Sequence, residues 1–128
     1  MVKLGSSRST VDTDYLVKDA DSKMAFIHDQ VNNIDYINAN GNQFFAEVWE
    51  MEKNNIGELA SPQALLELKA YSFVQHALNY SWMKLAATEF DIKFLVLTQG
   101  VSELKIVNKF ITPGQLEEVK KVIASAKR

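Results

Sequence analysis

Val11, Thr13, Tyr15 and Val17 recur at every second position, set between Asp12, Asp14 and Leu16. That alternation of β-forming residues predicts a strand over 11–17. Lys18-Asp19-Ala20-Asp21-Ser22 is a polar break. Two short apolar runs follow, at 24–28 and 34–38, separated by Asp29-Gln30-Val31-Asn32-Asn33. Their spacing predicts a hairpin with an extended loop; the competing reading is a helix over 21–31 capped by Asp21. Asn38-Ala39-Asn40-Gly41-Asn42 is a turn that leads into a helix. Phe44, Phe45, Val48 and Trp49 then recur at helical spacing, and Asn54-Asn55-Ile56-Gly57 ends that helix.

Beyond Gly57 the period is helical throughout. Ser61-Pro62 opens the clearest helix, with Ser61 as cap and Pro62 in the first position, where its missing N–H costs nothing. Leu65, Leu66, Leu68, Tyr71, Phe73, Val74 and Ala77 give it a wide apolar face. A further helix is expected over 83–97, ended by Gly100, and a short one over 102–110. Thr112-Pro113 repeats the cap-then-proline start, and Leu116, Val119, Val122 and Ile123 line one face of the last helix. Trp49, Trp82 and the phenylalanines are expected in the core. The sum is an α+β domain, a small antiparallel or mixed sheet followed by a helical half.

Length and composition narrow the reading. A chain of 128 residues suits a single domain, strand-rich over 1–57 and helical over 58–128. No apolar run reaches a membrane-spanning length and the N-terminus lacks the apolar stretch of a signal peptide, so a cytoplasmic protein is expected. With Cys 0, there is neither a disulfide framework nor a thiolate nucleophile. A net charge of -2, with base clustered only at Lys120, Lys121, Lys127 and Arg128, lacks the basic stripe of a nucleic-acid binder. Those residues suit a helix C-terminus. His28 and His76 have no spacing that suggests zinc.

Candidate chemistry gathers at the N-terminus. On a strand Asp12 and Asp14 stand on one side, a costly pairing of like charges unless a cation or proton is shared. Two carboxylates beside the donor-rich loop Gly5-Ser6-Ser7-Arg8-Ser9-Thr10 suit a divalent metal that carries a nucleotide polyphosphate.

Three stretches together resemble a known family. Gly5-x-x-Arg8-x-Thr10-x-Asp12-x-Asp14 followed by an apolar run resembles the signature strand of the minimal nucleotidyltransferase superfamily, in the branch related to abortive-infection and type IV toxin nucleotidyltransferases. Ala60-Ser61-Pro62-Gln63-Ala64-Leu65-Leu66-Glu67-Leu68-Lys69 resembles the opening of that group's helical part, and Glu89-Phe90-Asp91-Ile92-Lys93-Phe94-Leu95 the element after it. The resemblance covers about residues 4–123. It implies a nucleotidyltransferase-like sheet and Mg²⁺-dependent transfer of a nucleoside monophosphate from a nucleoside triphosphate to a hydroxyl on protein or RNA. By the same resemblance Asp12 and Asp14 hold Mg²⁺, and Asp35, an acid within the apolar run Ile34-Asp35-Tyr36-Ile37, acts as base. Ser6, Arg8 and Thr10 meet phosphate, and Lys69 reaches nucleotide or acceptor; as a residue of an amphipathic helix, Lys69 also reads as a snorkelling lysine.

One departure limits this. The family carries a helix and a first strand ahead of this motif, ending in a Gly-Gly or Gly-Ser phosphate cradle, and this sequence starts close to the motif itself. The sheet edge left open by the lost strand would be covered by a partner or a second copy, making a homo-oligomer. The alternative function is accordingly a catalytically inactive relative that serves as a binding or assembly module in a defence or toxin–antitoxin system.

Overall fold

The computed structural model describes residues 13–32, 34–55 and 60–127. Ser6, Arg8, Thr10 and Asp12 lie outside the described residues, as does the side chain of Asp14. Among the described residues the architecture is α+β, with three strands first and four α-helices after them. The chain forms two compact units, Met1–Ala64 and Leu65–Arg128.

In the first unit, β1 (Thr13–Val17), β2 (Phe26–Asp29) and β3 (Ile34–Asn38) form a mixed sheet in the order β1-β3-β2. β1 runs parallel to β3 and β2 runs antiparallel to it. The hairpin reading of 24–38 therefore holds, and the helix considered over 21–31 does not form. Ile27 and Tyr36 are paired across that hairpin, and Asp29 closes its loop by accepting the N–H groups of Val31 and Asn32. Tyr15 and Tyr36, level in register, bring their rings to 6.1 Å on one side of the sheet.

The connection from β1 to β2 is organised by one buried amide. Asn38 is completely buried. Its Oδ1 accepts the N–H groups of Asp19 (2.9 Å) and Asn40 (3.1 Å), while Nδ2 donates to the carbonyls of Met24 (3.0 Å) and Ser22 (3.2 Å). A single side chain thus satisfies polar groups of the 18–25 loop that would otherwise be left without partners. Gly41 comes so close to this loop that a Cβ there would lie 2.4 Å from the backbone nitrogen of Ala25. After a 3-10 turn at Ala39–Gly41, Asn42 caps α1 (Gln43–Glu52) by accepting the N–H of Phe45 at 3.2 Å. Phe44, Phe45 and Val48 bury the inner face of this helix. A 3-10 turn, Lys53–Asn55, follows it.

α2 (Pro62–Leu78) starts where its cap predicts, with Ser61 Oγ accepting the N–H of Ala64 at 3.1 Å. In the second unit α2 continues into a tight turn at Tyr80, then α3 (Trp82–Gln99) ends on Gly100 at φ 70, the left-handed conformation that glycine adopts without penalty. α4 (Pro113–Ala126) carries a complete capping box between Thr112 and Gln115, and it packs against α3. Leu65, Leu66, Leu68, Val74, Ile92, Leu95, Val119 and Ile123 are buried.

Two expectations are corrected here. The segment 102–110 is not a helix; it is irregular, with one 3-10 turn at Val107–Lys109. The cause is Glu67, fully buried on α2, whose carboxylate accepts the backbone N–H groups of Lys105 (2.7 Å), Ile106 (2.9 Å) and Val107 (3.2 Å). Those donors are committed to a side chain instead of a helical ladder. Nor are all the aromatics core residues: Trp82, Phe90 and Phe26 are largely exposed. Among the described residues no helix is long and apolar enough to cross a membrane.

Candidate functional site

Strand register assembles the candidate site of the first unit. In the parallel pair β1–β3, Asp14 is the partner of Asp35; in the antiparallel pair β2–β3, His28 is the partner of the same Asp35. Asp14, Asp35 and His28 therefore occupy one row across three strands. Neighbouring strands lie about 4.8 Å apart, so residues level in register are immediate neighbours. Residue 14 is thus brought beside residue 35 by a long-range parallel pairing that local sequence signals do not announce.

The contact at the centre of this row is between His28 and Asp35, whose Nδ1 and Oδ1 are 2.5 Å apart. Both side chains are about two-fifths exposed, at 44% and 40%. Phe26, two residues before His28 and hence on the same side of β2, meets Phe45 of α1 edge-on at 5.5 Å. The pair therefore sits on the side of the sheet against which α1 packs, two residues further along β2, where solvent reaches it. An imidazole held through Nδ1 by a carboxylate has its tautomer and orientation set, leaving Nε2 to exchange a proton. Sequence reasoning left His28 out of the site. The signal that finds it is the hairpin pairing of 28 with 35, once the loop length is known.

The predicted residues divide as follows. Asp14 and Asp35 are brought together by register. Ser6, Arg8, Thr10 and Asp12 lie outside the described residues. Lys69 belongs to the second unit, where its Nζ lies 2.9 Å from Asp91 Oδ2, with the two side chains only 17% and 3% exposed. This pair ties α2 to α3.

The donor set of the row suits a hard divalent cation in kind, since carboxylate oxygens are the ligands Mg²⁺ prefers and Mg²⁺ needs few of them. Among the described residues, however, no three His, Asp or Glu side chains form a group able to hold a metal ion. Asp29, at the end of β2, has its carboxyl held below the usual range by hydrogen bonds from the Asn32 side chain and backbone. It is occupied in closing the hairpin loop.

The chain matches no protein-family model, no curated protein and no solved structure.

Proposed function

We propose that the Asp14–Asp35–His28 row is the reaction centre of a nucleotidyltransferase-like protein, one that moves a nucleoside monophosphate from a nucleoside triphosphate to a hydroxyl on protein or RNA. The observation that carries the reading is the parallel register of β1 with β3, which sets Asp14 level with Asp35. The resemblance adds Asp12, two positions before Asp14 in the sequence, as the further carboxylate of the site.

Asp12 and Asp14 are the residues that would hold Mg²⁺. The chemistry such an ion supplies when bound is neutralisation of charge on the polyphosphate. The protein's own part is proton transfer. Asp35 fixes the imidazole of His28, and the pair takes the proton of the acceptor hydroxyl as its oxygen bonds to the α-phosphorus and pyrophosphate departs. Arg8 and Thr10 bind phosphate oxygens, Arg through its fork of donors.

A second reading, a non-catalytic binding or assembly module in a defence or toxin–antitoxin system, is favoured by one observation. Asp35 already engages His28 within the protein, so one of its acceptor sites is spent on an internal contact.

Calorimetric titration of ATP and GTP, with and without Mg²⁺, decides between them. Binding that needs the metal and is lost in Asp12→Ala/Asp14→Ala supports the transferase. Label transfer from an α-labelled nucleotide, lost in Asp35→Asn and reduced in His28→Gln, supports the roles given to that pair. No binding of either nucleotide to the intact protein overturns the transferase reading.

A further inference from the structure

α3 is apolar on both faces, and only one face is buried. Asp91, Ile92, Leu95 and Val96 are covered, whereas Met83, Phe90 and Leu97 stand 90%, 52% and 68% exposed. These three are spaced by seven residues each, the interval that keeps side chains in one seam along a helix. Phe94 stacks on Phe90 from one flank at 6.5 Å. The opposite flank carries Glu89 and Lys93, an i,i+4 pair 4.0 Å apart with both side chains about two-fifths exposed. An exposed apolar stripe of this kind, flanked by charge, marks a surface that another molecule covers.

We infer that a second copy of this chain covers the seam, with the two α3 helices pairing antiparallel about a two-fold axis at Phe90. The spacing is self-complementary in that arrangement. Phe90 meets the Phe90 of the other copy, and Met83 of each meets Leu97 of the other. The charges choose the direction. A two-fold axis across antiparallel helices keeps the Glu89–Lys93 flank of both copies on one side of the seam. Lys93 of one copy then lies within about 3 Å, along the axis, of the level of Glu89 in the other, given the rise per residue. Two reciprocal ion pairs result, in the isologous form that a symmetric dimer requires. A parallel pairing sets that charged flank against the Ala87–Phe94 flank, where it finds no counter-charge. The seam is short, about 26 Å for 18 residues, so the dimer is a weak one.

The test uses the full chain, sedimented from low micromolar to near-millimolar concentration. A concentration-dependent dimer is expected, weakened at least about tenfold by Phe90→Glu at the seam centre. Glu89→Lys and Lys93→Glu alter only exposed charges, and circular dichroism checks that both variants fold. Each alone weakens association and the double reversal restores it. Since the chain has Cys 0, single cysteines report orientation cleanly. Phe90→Cys cross-links to itself on oxidation; Met83→Cys does not, but it links to Leu97→Cys in a mixture. A monomer at every concentration, no rescue by the double reversal, or self-linking by Met83→Cys overturns the proposal.

Discussion

Replacing Glu67 tests whether a buried carboxylate holds the 105–107 segment in place of helical hydrogen bonds. Its Oε1 accepts from Lys105 and Ile106, and its Oε2 from Ile106 and Val107. Ile106 and Val107 are buried, whereas the N–H of Lys105 is only partly so. In Glu67→Leu, two buried N–H groups lose their acceptor at roughly 1–3 kcal/mol each, partly offset by the apolar burial gained; the net loss is about 2–4 kcal/mol. Glu67→Gln is milder. Its one oxygen can serve Ile106 and Val107, leaving Lys105 to water, and the loss of charge assistance costs about 1–2 kcal/mol. At roughly 4–8 °C per kcal/mol for a unit this small, Gln lowers the melting temperature by about 4–16 °C and Leu by at least about 8 °C. Thermal melts followed by circular dichroism give the ranking, and hydrogen exchange at amides 105–107 gives the location. Gln as damaging as Leu, or unchanged exchange at those amides in either variant, would refute the reasoning.

Two further substitutions probe the second unit. Lys69→Met strips the ammonium from a carboxylate that is 3% exposed, costing about 3–5 kcal/mol, whereas Lys69→Met/Asp91→Leu recovers most of it; urea titrations showing additive losses would contradict this. His76 has its imidazole pKa held below the ordinary 6.5 by burial, aided by Lys84 and Lys69. The unfolded chain therefore takes up that proton first as pH falls. The contribution is full above about pH 6.5 and is lost on acidification toward the lowered folded value. Melting temperatures of His76→Gln should show a flatter pH dependence across that window, and an unchanged slope counts against the assignment.

Element boundaries were legible wherever a local cap wrote them. Ser61-Pro62, Thr112-Pro113 and Gly100 each mark a helix end with chemistry contained in a few consecutive residues. The irregular 102–110 segment was not legible, because what prevents a helix there is a side chain 38–40 residues away in sequence. α3 misled for a different reason. With apolar residues on every face, periodicity locates the helix but not the side it buries, so Trp82 and Phe90 were expected inside. In the candidate site, Asp35 stood out as an acid within an apolar run. The pairing that sets Asp14 and His28 beside it depends on a parallel register and on a hairpin loop length, and neither is written in the residues that are paired.

The amide of Asn38 also divides the neighbouring positions into fixed and free. Because it meets the main chain of the 18–25 loop and not its side chains, the exposed positions Ala20, Asp21 and Lys23 can change identity without disturbing the path of the loop. Positions 38 and 41 cannot: one must be an amide with both ends in use, and the other must have no Cβ. A library randomised at positions 20, 21 and 23 should return near-arbitrary residues there over an invariant Asn and Gly. The β1–β2 connection is therefore the natural place to graft a foreign peptide onto the sheet.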